Sequence, residues 1–174
     1  MGQLKMTRDA RPTAEAVFPE GYYMRNFQPG DEASWCACCI DGSLGVTECN
    51  AEQFNKIMTT ESRVKPENIY FLISPDGDVA GTATFQFGNA EDEGYLHMVG
   101  LDKRYWGKKL SLPLVNYVVN KIIEGGKSSI FLTTDDWRLA AIKSYFNADF
   151  VPVINDGDEE MIRRWADVTN KLNL

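Results

Sequence analysis

From Lys108 onward, apolar residues return every four positions: Leu110, Leu114, Val118 and Ile122. That is one face of a helix, closed by Gly125-Gly126. Pro113 lies near enough to the helix start to be tolerated there. Upstream the period is two. "NIYFLIS" and "VAGTATFQFG" flank Pro75-Asp76-Gly77-Asp78, where Asp-Gly supplies a positive-φ turn, so the stretch predicts a β-hairpin. "GYLHMVGL" (94–101) predicts the next strand, "SSIFLTT" a short buried one and "DFVPVI" a last one. "GYYMRNFQP" (21–29) predicts a first strand, followed by a helix in "GDEASWCACCI", a Gly-rich link "DGSLGV" and a short helix at 51–59. Asp135-Asp136 are placed to cap a helix carrying Leu139, Ile142 and Phe146 inward, and "DEEMIRRWADVTNKLNL" closes the chain as an amphipathic helix. The predicted order is β-α-α-β-β-β-α-β-α-β-α, a single α/β (α+β) domain with a mixed central sheet flanked by helices, spanning 21–174. Residues 1–20 are expected to be a loosely docked N-terminal arm.

Composition narrows the functional classes. A chain of 174 residues can bury a sizeable core without disulfides or metal. The N-terminal stretch lacks the apolar segment of a secretory leader, and no apolar run approaches the roughly 20 residues of a membrane span. The expectation is a cytoplasmic protein away from membranes, its oligomeric state open and a homodimer one option. Net charge is −7 with no basic stripe, which argues against nucleic acid as partner. Acidic residues gather at 91–93 and 156–160; they are either solvated loop charge or a field that steers a cationic substrate. Cys36 and Cys39 have C-x-x-C spacing, but a zinc site needs about four ligands and the one histidine, His97, is distant in sequence. Packing of small apolar side chains on a buried helix face is the reading taken for them, with no disulfide and no metal.

The chemistry concentrates in "VGLDKRYWGKKLSLPLV" (99–115), a strand, a loop with one glycine between Trp and two Lys, and a helix start. Helix N-termini bind anions through unpaired N–H groups and about half a positive charge. A phosphate loop of the G-x-x-x-x-G-K-[ST] type is excluded, because Asp102 and Lys109 stand at two of its required positions.

This block, together with "LTTDDWRLAAIKSYFNADF", resembles the GNAT superfamily of acyl-CoA-dependent N-acyltransferases, over residues 22 to about 154. In that family a Gln/Arg-x-x-Gly-x-Gly/Ala loop cradles the pyrophosphate of coenzyme A. Here Trp106 takes the Gln/Arg position, Lys109 the middle Gly and Ser111 the last small residue. In the second block Ala141, Tyr145 and Phe150 match the family spacing, while Arg138 replaces an Asn and Asp149 a Gly.

The resemblance implies direct transfer of an acetyl group from acetyl-CoA to a primary amine of a small molecule or peptide. It places coenzyme contacts at Trp106, Gly107, Lys108, Lys109, Leu110 and Ser111, and on freed main-chain groups at Val99, Gly100 and Leu101 where two strands splay. Tyr145 takes the position of the general acid, against the alternative of a packed core ring. His97 and Glu93 are candidate bases, and strand alternation sets Tyr95, His97, Val99 and Leu101 on one face. Arg138 either meets a phosphate or caps an acidic neighbour. The alternative function is a noncatalytic acyl-CoA-binding regulatory domain of the same fold.

Overall fold

The computed structural model describes residues 2–40, 45–60 and 63–174; positions 41–44 of the expected Gly-rich link lie outside the described residues. Seven strands form one sheet: β1 (Leu4–Asp9), β2 (Tyr23–Asn26), β3 (Val64–Ile73), β4 (Val79–Phe87), β5 (Glu93–Leu101), β6 (Ser129–Thr134) and β7 (Val151–Pro152). The helices are α1 (Glu32–Cys39), α2 (Ala51–Phe54), α3 (Ser111–Glu124), α4 (Leu139–Asn147) and α5 (Glu159–Leu172), with a π-type turn extending α2 over Asn55–Thr59. Strand order is β2-β3-β4-β5-β6-β1-β7. Among the described residues only β5 and β6 run parallel; every other pair is antiparallel. Among the described residues no helix is long and apolar enough to cross a membrane.

Local chemistry accounts for most of these elements. Gly77 at φ +85° turns the β3–β4 hairpin, and its N–H donates to the Ser74 carbonyl at 2.9 Å. The four-residue apolar face of α3 is fully used, with Leu110, Leu114, Val118 and Ile122 at most 1% exposed. They join one core with Leu96 and Val99 of β5, Ile142 and Tyr145 of α4, and Trp165 and Val168 of α5. A second core packs Trp35, Cys36, Cys38 and Cys39 of α1 with Phe54, Met58, Phe71 and Met98. The thiols of α1 are therefore packing groups, and burial pushes the Cys38 thiol up to about 12, far from the thiolate.

The N-terminal expectation is corrected. Residues Leu4–Asp9 are a strand inside the sheet, pairing with β6 from Leu4↔Thr134 to Asp9↔Ser129 and with β7 at Met6↔Pro152. Leu4 and Met6 are fully buried, each contributing about 1.5–3 kcal/mol by removal from water. Arg8 fastens the strand further on: its Nη1 donates to the Ala148 carbonyl at 2.7 Å, at the end of α4. Two apolar side chains are a faint signal, and the pairing that uses them comes from the far end of the chain.

Two smaller expectations also change. Neither Asp135 nor Asp136 caps α4, whose N-cap position is Arg138 with no side-chain cap bond. Asp136 instead accepts from Arg164 Nε of α5 at 2.9 Å. The last strand shrinks from six residues to two.

Candidate active site

The site begins with a defect in the sheet. β4 and β5 are in register at Thr84↔His97 and again at Thr82↔Gly100, so β5 spends three residues where β4 spends two. The extra residue forms a bulge at Met98, held at φ +50°. A left-handed non-glycine residue costs about 1–2 kcal/mol, and a bulge bends its strand and increases the local twist. β5 consequently pairs with β6 only from Glu93↔Ser129 to Tyr95↔Phe131, although both strands run on to Leu101 and Thr134. A cleft opens between them.

The bulge also overturns the face assignment made from simple alternation. Leu96 and Val99, three positions apart, enter the same core, while Met98 enters the other. Val99 therefore does not share a face with Tyr95 and His97. Leu101 has moved as well, since a Cβ placed on Gly81 would meet both its side chain and that of Leu114 on α3. Gly100 turns the opposite way, so close to α1 that a Cβ there would collide with the Cys38 carbonyl.

A cavity of about 350 Å³ lies in the cleft, with Tyr95, His97, Thr133, Asp135, Arg138 and Tyr145 among its walls. Tyr145 is 3% exposed, and among the described residues no hydrogen bond to its hydroxyl is found, its pKa being set by burial and by charge alone. Burial raises its pKa, against a smaller opposing pull from Arg138, so it stays a phenol through neutral pH. His97 is pushed down to about 4, chiefly by burial and then by the Arg63 guanidinium, so its imidazole is neutral at pH 7. Its ring lies 4.9 Å from that of Tyr95, whose hydroxyl shares a 2.8 Å hydrogen bond with Thr133 Oγ1.

Glu93 is not brought to this cavity. It sits at the closed end of the cleft, where its carboxylate accepts from the Asn89 N–H at 3.1 Å.

A second cavity, about 610 Å³, adjoins the first through Val99 and Arg138, which line both. One wall is the loop before α3. A single 3-10 turn over Lys103–Tyr105 is capped by Asp102, which accepts from the Arg104 N–H at 2.9 Å. Gly107 follows at φ +77° and Lys109 at φ +58°. Lys109 thus adopts a conformation suited to the glycine it replaces in the family loop, and Asp149, at the family's second glycine position, does the same at φ +63°. Leu110 is the N-cap of α3 and supplies no side-chain cap. Among the described residues nothing accepts from the N–H groups of residues 107–112, and Pro113 has none to offer. Trp106, Gly107, Lys109, Leu110 and Ser111, at the positive end of the α3 dipole, form one wall of the cavity.

Not every expected contact is available as expected. Lys108 is absent from this wall; its ammonium lies 4.8 Å over the Tyr105 ring. The Leu101 carbonyl accepts from Trp106 Nε1 at 2.9 Å, and the Val99 carbonyl from Arg138 Nη2 at 3.1 Å. Arg138 thus ties α4 to the open edge of β5 through Nη2, and among the described residues no acidic side chain accepts from it.

Asp135, Thr133, Gln3 and Trp137 are site residues that the sequence reading missed. The alternating "LKMTR" of β1 was the signal available for Gln3.

The sequence profile of the acetyltransferase (GNAT) family matches residues 43–150. No curated protein matched. Among solved structures, a GCN5-related N-acetyltransferase from Sphaerobacter thermophilus superposes with TM-score 0.69 at 24% identity, covering 88% of this chain and 50% of that one. A GCN5-related N-acetyltransferase from Kribbella flavida gives 0.60 at 16% identity, covering 87% and 55%. N-acetylglutamate synthase from Neisseria gonorrhoeae, solved with coenzyme A and N-acetyl-glutamate, gives 0.59 at 16% identity, covering 88% and 34%. The chain spans about half the length of the first two. At these identities the superpositions speak for the fold; the profile covers more than half of the chain, and on that match the chain belongs to the acetyltransferase (GNAT) family.

Proposed function

We propose that the chain is an N-acetyltransferase that moves an acetyl group from acetyl-CoA to a primary amine by direct transfer. One observation carries this reading: a buried phenol with an unpartnered hydroxyl, Tyr145, sits in a cleft that adjoins an uncapped helix N-terminus. The residues fit the coenzyme's chemistry. The free N–H groups at the start of α3, with the Lys109 ammonium beside them, would hold a diphosphate. Bound acetyl-CoA supplies an activated thioester. Tyr145, kept protonated by burial, is the donor for a departing thiolate.

Proton accounting decides the part played by His97. An alkylammonium with pKa about 10.4 costs roughly 4.6 kcal/mol to neutralise into water at pH 7. Passing the same proton to a group near 4 costs about 8.7 kcal/mol, so water is the better first acceptor. The amine therefore gives its proton to water and not to His97, and His97, itself neutral, accepts a hydrogen bond from it. Glu93, at the closed end, has no direct part.

Release of free thiol from acetyl-CoA across an amine panel tests the proposal. The noncatalytic acyl-CoA-binding reading draws on the occupied carbonyls of Val99 and Leu101. It takes over if the coenzyme raises the melting temperature while no amine elicits thiol. Absence of both effects removes both readings.

A further inference from the structure

The cleft cavity holds two unlike charges that do not neutralise each other. Asp135 and Arg138 lie on one turn, joined by a 3.0 Å bond from the Arg138 N–H to the Asp135 carbonyl, and both line the cavity. No ion pair joins their side chains. The Arg138 guanidinium gives Nη2 to the Val99 carbonyl, while Nε and Nη1 have no partner among the described residues. Asp135 receives only long contacts from the neutral Gln3 amide, at 3.4 and 3.5 Å.

Charges nearby behave otherwise. Asp136 is paired with Arg164, and Arg104 with both Asp78 and Asp102. Half-buried charges with no salt-bridge partner are costly, and although Arg164 lies within electrostatic reach of Asp135, a carboxylate and a guanidinium held apart in one small cavity suit a ligand that brings both signs. At about 350 Å³ the cavity is at the lower end of small-molecule sites, and Leu96, Met98 and Val99 give it an apolar strip.

We propose that this cavity takes a zwitterionic acceptor, an α-amino acid, with its carboxylate on Arg138 and its amino group toward Asp135. The inference builds on the transferase reading and names its substrate class. In the transfer, the amine nitrogen forms a bond to the acyl carbon as the carbon–sulfur bond breaks. The ammonium first releases one proton to solvent; as the thiolate takes the Tyr145 proton, the nitrogen sheds its second proton to water, and water returns one to the Tyr145 phenolate. Neutral His97 adds no positive charge to repel the incoming amino group.

The test compares each amino acid of a twenty-member panel with its carboxamide and its decarboxylated amine. Thiol release is measured with acetyl-CoA, and binding by calorimetry without it. At least one amino acid is expected to exceed both of its analogues tenfold in kcat/KM, and Arg138→Gln to bring that ratio down to about one. Amides and amines used as well as the amino acids overturn the proposal and leave the transferase reading standing. No thiol release from any acceptor removes the transferase reading, and calorimetry then decides the ligand: tighter binding of an amino acid than of its amine upholds it, and equal or no binding overturns it.

Discussion

His97 is the chain's one histidine, so its ionisation can be followed without interference. The cleft lowers its pKa from 6.5 to about 4, mainly because burial disfavours the imidazolium. The sign follows directly. Below 6.5 the unfolded chain binds a proton that the folded chain refuses, so stability falls as pH drops from 6.5 toward 4. From pH 7.5 to 5.0 this one group accounts for a loss of about 2 kcal/mol, from 1.36 kcal/mol per pH unit over the interval below 6.5. Salt-bridged carboxylates such as Asp31 and Asp102, whose pKa values are lowered from 3.8, add their own loss only below about pH 5. A difference isolates the histidine. Urea unfolding of the wild type and of His97→Gln, run side by side at both pH values, should give stability differences that change by about 2 kcal/mol, the variant having the flatter profile. The imidazole Cε1 proton followed by NMR should titrate near pH 4. A midpoint near 6.5, or a stability difference that stays constant with pH, would refute the burial argument and restore His97 as an ordinary base.

Three further outcomes follow from the geometry. Tyr145→Phe should lower turnover at least tenfold in the thiol-release assay while coenzyme affinity stays within about twofold; unchanged turnover removes the phenol from the mechanism. Gly100→Ala sets a methyl group against the Cys38 carbonyl, and chemical denaturation should record a loss of about 2 kcal/mol or more; a neutral result would mean that α1 gives way easily. Lys109→Gly relieves a left-handed lysine, so the free protein should gain about 0.5 kcal/mol. Coenzyme titration should at the same time show affinity down several-fold, whereas undiminished affinity would take the Lys109 ammonium out of the site.

How far the sequence was legible depends on the range of the interactions involved. α3 and the β3–β4 hairpin are written locally, in a four-residue apolar repeat and an Asp-Gly turn, and both stand where the pattern put them. Tyr145 and the loop before α3 were found by resemblance and spacing, and the structure brings both to adjoining cavities. The misses share a cause. β1 is stabilised by partners from the last third of the chain, so its two apolar residues look insignificant in isolation. The bulge at Met98 arises in the β4–β5 pairing, and no property of "HMVGL" alone announces that alternation breaks there. Asp135 and Asp136 look alike as helix caps, but α5 takes Asp136 through Arg164 and leaves Asp135 to the cleft.

The position of β1 bears on the order in which the molecule is assembled. Hairpins such as β3–β4 close between near neighbours in the chain, whereas Leu4 must find Thr134 across most of its length, and such distant closures are slow. Gln3, which reaches Asp135, is carried in by that same step. Completion of the cleft cavity is thereby coupled to one late docking event, and a refolding time course should show native helix content well before the cavity can admit a ligand.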